Sequence, residues 1–152
     1  MRRKSPVPLL FVGLGVIMIM IFLFISIGDE HANNPEQVIE DFYDFEKDGD
    51  FGSSWELFHS EMKKKFSKSS YIQTKNHVFM GHMGVDTFEV EIKEITDEKE
   101  FKFSKDGPIF KNVKKGEVLM KYESQFGKLI INQTCYAVQE EGEWEIIWDY
   151  QY

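Results

Sequence analysis

This sequence has little of what staples a fold from outside. Cys135 is its one cysteine, so no intrachain disulfide can form and no zinc site of cysteine pairs can be built; stability has to come from packing. Its distance from the N-terminus also leaves no lipid-attachment cysteine beside the apolar run near the start of the chain. Basic side chains are scarce as well. After Gly28 there are 15 Lys and Arg against 26 Asp and Glu, a formal charge of −11. A phosphate backbone rewards clustered Lys and Arg. The only basic cluster, Lys63-Lys64-Lys65, is short and flanked by acidic segments, so it reads as a solvated helix face and no nucleic acid is expected as a partner. Nor is the chain polar enough to be disordered: 42% of its residues are hydrophobic and 15% aromatic, which predicts a folded domain.

Between Pro8 and Ile27 there is no charge of either sign, and fourteen of those twenty residues are Leu, Ile, Val or Phe. Twenty residues at helical rise match the hydrocarbon thickness of a bilayer. Arg2, Arg3 and Lys4 precede the run and Asp29 and Glu30 follow it, which by the positive-inside rule keeps the N-terminus in the cytoplasm. The expected organisation is a cytoplasmic basic stretch (1–7), a transmembrane anchor (8–28), a linker (29–34) and an extracytoplasmic domain (35–152). That makes a single-pass protein of the cell membrane with the bilayer as partner of residues 8–27. Ser26-Ile27-Gly28 is also a small-x-small site, and cleavage after Gly28 would give a secreted domain instead.

Within the domain, Asn34-Pro35-Glu36-Gln37 reads as an N-cap, a proline at the first helical position and a Gln closing a capping box. Val38, Phe42 and Phe45, with Ile39 at the edge, form an apolar stripe that Asp48-Gly49-Asp50 ends. Ser53 or Ser54 is expected to cap a second helix carrying Trp55, Phe58, Met62 and Phe66 on one arc, with His59 close to it. A third helix is expected from about Tyr71 to Met80. From Phe88 the period becomes two. Phe88, Val90 and Ile92 alternate with Glu89, Glu91 and Lys93; Phe101 to Phe103 and Ile109-Phe110 flank Asp106-Gly107-Pro108. Val118, Met120 and Tyr122 alternate next, and Leu129 to Gln139 turns through Glu141-Gly142 into Trp144, Ile146, Trp148 and Tyr150. Helices followed by long antiparallel strands define an α+β fold.

Three helices followed by a strand meander, with Gly142-Glu143-Trp144-Glu145-Ile146 opening the last strand, resemble the nuclear transport factor two-like (cystatin-like cone) superfamily. Asp48-Gly49-Asp50-Phe51 and Trp55-Glu56-Leu57-Phe58-His59 resemble the turn and second helix common in its membrane-anchored bacterial members. The resemblance implies a strongly curved antiparallel sheet wrapped against the first helix, with a pocket between its concave face and the helices; with the anchor read from the run 8–27, the expected fold is a transmembrane helix followed by three helices packed on that sheet. It does not carry a function, because such folds host isomerases, cyclases and domains without chemistry alike.

The candidate pocket-lining residues are Tyr43, Trp55, His59, Asp86, Tyr122, Tyr136 and Trp148. His59 stands out as a titratable group on an otherwise apolar stripe. No catalytic residue set, no cofactor and no metal ligand set is expected. His77 and His82, the nearest histidine pair, would lie about 140° apart on an α-helix, and Asp48-Gly49-Asp50-Phe51-Gly52 lacks the glycine and glutamate spacing of a calcium loop. The leading expectation is a membrane-anchored, non-catalytic binding or accessory domain of the cell envelope, with a protein, peptide or cell-wall partner. The alternatives are a small pocket enzyme of isomerase or hydratase type, with His59 or Asp86 as base, and a structural module that forms homodimers through its sheet.

Overall fold

The computed structural model describes residues 34–149. The chain divides into two units, Met1–His31 and Ala32–Tyr152. The first, with the run 8–27, lies outside the described residues, and so does Tyr150.

Helix α1 spans Pro35–Lys47. Asn34 Oδ1 accepts from the N–H groups of Glu36 (2.9 Å) and Gln37 (3.3 Å), as an N-cap should. The capping box does not close, because the Gln37 amide donates to Asp41 Oδ1 instead (2.9 Å). The buried stripe is Val38, Ile39, Phe42, Tyr43 and Glu46. It is turned relative to expectation: Ile39 is fully buried while Phe45 is 36% exposed.

The expected second helix is two helices, α2 (Phe51–Glu56) and α3 (Ser60–Lys65), and Asp50 rather than a serine caps the first. The break has a cause outside the segment. Phe58 forms a parallel bridge with Ile146; the Ile146 N–H donates to Leu57 O (2.7 Å) and the His59 N–H donates to Ile146 O (3.0 Å). Three residues leave the helix and buy two sheet hydrogen bonds, while Phe58 becomes fully buried among Phe42, Tyr71 and Trp148, with ring centroids 4.9–5.2 Å apart. Helix α4 (Lys68–Lys75) follows, capped by Ser67, and runs directly into a π-helix, Asn76–His82.

Four antiparallel strands complete the domain in the order β1 (Glu89–Lys102), β2 (Ile109–Ser124), β3 (Gly127–Glu140) and β4 (Glu143–Trp148). The two short strands expected around Phe88–Ile92 and Phe101–Phe103 are one strand with a register shift between Ile92 and Glu94. The β3–β4 hairpin turns on Glu141 and Gly142, both at positive φ (53° and 94°), the conformation that a two-residue hairpin needs.

The expected architecture, one transmembrane helix and three helices on a strongly curved sheet, is therefore corrected. The described residues form four α-helices and a π-helix with a four-stranded antiparallel sheet. No helix among them is long and apolar enough to cross a membrane. The α+β content stands.

Helix α1 contacts all four strands, and Ile39 packs over Gly116, where a Cβ would lie 3.0 Å from Cys135 Sγ and 3.3 Å from Ile39 Cδ1. Cys135 and Ala137 face this helix layer, so Tyr136 and Val138 face the other way. They are covered too: Phe101 stacks on Tyr136 with centroids 3.8 Å apart, and Val138 and Ile147 are fully buried. Strand β1 is an edge and carries Glu94, Asp97, Glu98, Lys99 and Glu100, a charge density that discourages pairing with a further strand.

Gly116→Ala is expected to lower unfolding stability by about 1–3 kcal/mol, since both close neighbours are core atoms with little room to yield. Exposed Lys99→Ala should change it by less than about 0.5 kcal/mol. Urea denaturation of both variants checks the pair, and equal midpoints would refute the close contact.

Candidate functional site

The buried stripe of α1 ends on an acid. Glu46 is 3% exposed, and three side chains from two other helices meet it. Its Oε1 accepts from the hydroxyls of Ser54 (2.6 Å) and Tyr71 (2.6 Å), and its Oε2 pairs with the ammonium of Lys75. That ammonium lies 5.1–5.8 Å from the ring centroids of Phe51, Tyr71, Phe79 and Trp148, within cation–π range of each. Burial, then the Glu46 carboxylate, holds the Tyr71 phenol well above its usual range.

Beside this cluster a cavity of about 610 Å³ opens between α4, the π-helix and the core-facing side of the sheet. Its apolar wall includes Phe66, Val78, Phe79, Met120, Ile131 and the rings of Tyr71, Tyr122 and Trp148; Ser70, Thr74, Asn132 and Gln133 supply polar groups. Phe79 stacks on Tyr122 with centroids 5.2 Å apart. Lys75 reaches the same wall, but its charge is already engaged by Glu46.

Of the seven residues singled out in the sequence, Tyr122 and Trp148 line this cavity. Tyr43 stands behind it, its hydroxyl donating to the lining residue Gln133 (Oε1, 3.2 Å). Trp55 is half-buried and donates from Nε1 to Phe66 O (2.7 Å). Tyr136 lies on the opposite face of the sheet under Phe101, Asp86 is exposed after the π-helix, and His59 is buried near the β3–β4 hairpin. Cys135 is no nucleophile here, since burial pushes its thiol up to about 12.

His59 belongs to a second cluster. Its Nε2, Glu140 and Glu145 bring three donor-type atoms within 4.8 Å of one another, a grouping able in principle to hold a cation. The hydrogen bonds argue otherwise. His59 Nδ1 accepts from the Glu61 N–H (3.0 Å) as the N-cap of α3, so the neutral ring carries its proton on Nε2, the atom 3.5 Å from Glu140 Oε1. A protonated Nε2 donates to a carboxylate and has no lone pair for a metal. Burial lowers the His59 pKa and keeps the ring neutral.

The two carboxyls divide one proton unequally. Burial would raise Glu140, but hydrogen bonds from Glu145 and from Ser60 (backbone N–H 3.0 Å, hydroxyl 2.6 Å) outweigh it and bring it down to about 2. Glu145 is pushed up to about 8, first by burial and then by its hydrogen bond to Glu140, against the pull of Lys63 at 3.7 Å. Glu145 Oε2 is buried without a donor, which suits a protonated carboxyl and not an ionised one. The cluster ties α3 to the hairpin.

Comparison with family models gives no match, and comparison with curated proteins gives none.

Two features escape a reading of the sequence. Glu46 stands four residues after Phe42 and eight after Val38, so the helical wheel does place it on the core stripe; only its type suggests solvent. The approach of His77 and His82 has no signal at α-helical spacing, because it depends on the π-helix.

Glu145 contributes stability fully below its ordinary value of 4.5 and loses it as pH rises through about 8. Glu145→Gln keeps a donor for Glu140 and removes that loss. The variant is expected to gain about 1–3 kcal/mol relative to the wild type between pH 5 and pH 9, measured by urea denaturation at both. An unchanged difference would refute the shared proton. Lys75→Met, which leaves Glu46 buried without its cation, should cost about 3–5 kcal/mol in the same assay.

Proposed function

We propose that this domain is a non-catalytic binding module that takes an apolar segment of an envelope peptide, protein or cell-wall component into the cavity between α4, the π-helix and the sheet. The carrying observation is the composition of that wall. A cavity of about 610 Å³ is of ordinary ligand-site size, and its described lining residues include no His, Asp or Glu. Its lysine is bound to Glu46, and burial, then Glu46, holds the Tyr122 phenol above its usual range. A pocket so lined offers contact area and a few hydrogen bonds, with no group disposed to move a proton.

The pocket-enzyme alternative needs His59 or Asp86 as base. His59 has Nδ1 committed to Glu61 and Asp86 does not line the cavity, which weighs against it. The charged edge of β1 weighs against a homodimer built by edge pairing. Location is read from the sequence: the uncharged run 8–27, with Arg2-Arg3-Lys4 before it and Asp29-Glu30 after it, supports the bilayer as its partner. It also supports a cell-membrane protein with this domain outside the cytoplasm, or a secreted one if the chain is cut after Gly28. The cone superfamily belongs to the same proposal, and the order of helices first and antiparallel meander after is what supports it.

Filling the cavity tests the reading. Ile131→Trp should weaken binding of the neutral apolar dye Nile red to the full chain at least about tenfold while leaving its melting temperature within a few degrees. Dye binding that survives the filled cavity, or saturable isomerase or hydratase turnover by the wild type, would overturn it.

A further inference from the structure

The π-helix Asn76–His82 brings together two side chains that an α-helix would separate. Its hydrogen bonds run to the fifth residue, as from the Met83 N–H to Val78 O (2.9 Å), so residues five apart stand nearly over one another. His77 and His82 are such a pair. Their Nε2 atoms lie 2.9 Å apart and both rings are exposed, with centroids 4.3 Å apart.

We propose that His77 and His82 form a bidentate site for a divalent transition-metal cation of the Cu²⁺ or Ni²⁺ type, bound through the two Nε2 atoms. Two imidazole nitrogens about 2.05 Å from one cation stand about 2.9 Å apart when the angle between the bonds is 90°, and about 3.3 Å apart at the tetrahedral angle. The observed 2.9 Å separation is that of neighbouring ligands in a square-planar or octahedral shell.

Proton positions permit it. Without a cation, one Nε2–H donates to the other ring's lone pair. A bound cation takes both lone pairs, and each ring then carries its proton on Nδ1, where water accepts it because both rings are exposed. Beside His77 Nδ1 stands Gly81, where even an added Cβ would lie at an ordinary contact distance of 3.7 Å. His59 offers the opposite case, with Nδ1 held by a backbone N–H.

Backbone contacts fix the distal end of the site: the Gln125 amide donates to His82 O (2.7 Å) and the Gln125 N–H to Met83 O (3.0 Å). The formal charge of −11 over residues 29–152 also favours cations over anions near the surface. Because the π-helix supplies Val78 and Phe79 to the cavity wall, a bound cation would pin that stretch of wall. The site itself does not rest on the proposed ligand pocket.

The test is a Cu²⁺ titration of the full chain without an affinity tag, read by calorimetry and by the nitrogen hyperfine pattern in electron paramagnetic resonance. The expected result is one tight equivalent with two imidazole nitrogens. His77→Ala and His82→Ala should each weaken it at least about tenfold and leave one nitrogen, and the double variant should lose the nitrogen pattern of this site altogether. Both residues are exposed, so the variants should keep the wild-type melting temperature without metal. Glu145→Gln should bind Cu²⁺ as the wild type does. Single variants that keep affinity and spectrum would overturn the proposal, as would a loss on Glu145→Gln that the histidine variants do not share.

Discussion

A carboxylate on the core side of α1 governs how the helices stand. Removing a charge from water costs several kcal/mol unless donors replace the water. For Glu46 those donors are Ser54 of α2 and Tyr71 and Lys75 of α4. Neither helix can drift from α1 without uncovering the acid. The register of α4 follows, since Tyr71 and Lys75, four residues apart, share one face and both must point at Glu46. The rings that surround the Lys75 ammonium then do double duty: Tyr71, Phe79 and Trp148 seal the ion pair and also form part of the cavity wall. Core and cavity depend on one interaction.

The second constraint is the break at Leu57–His59. A continuous helix would leave Phe58 on one stripe with Trp55 and Met62. Bridging to Ile146 instead buries it between α1, α4 and β4, and the helix restarts at Ser60. That restart makes His59 an N-cap. Its environment is thus a by-product of where Phe58 goes, and the glutamates of the hairpin close around a ring whose tautomer the cap has already set.

What could be read in advance was local. The Asn34-Pro35 start of α1, the period of two over Glu89 to Ile92 and the Glu141-Gly142 turn are decided by backbone preferences within a few residues, and each stands where the sequence puts it. Tyr122 and Trp148 were legible as inward-facing because strand alternation is strict. The helix break was not, because its cause, Ile146, lies far along the chain; neither was the merger of two short strands into β1, where a single register shift absorbs the loss of alternation. Glu46 was hidden by residue type: its spacing says core and its charge says water, and only the three donors brought by other helices decide between them.

The histidines show how little residue type alone determines. His59 sits among two carboxylates and would look like the metal ligand in any list of neighbours, yet the Glu61 N–H occupies Nδ1 and so places a proton on the one nitrogen that faces the acids. His77 and His82 have no acid between them and looked far apart at 100° per residue. The extra residue per turn of the π-helix closes that angle, and exposure leaves each ring free to carry its proton on either nitrogen. The difference between a structural histidine and a ligating one here is not the number of anionic neighbours. It is whether the backbone has already taken the lone pair that fixes the tautomer.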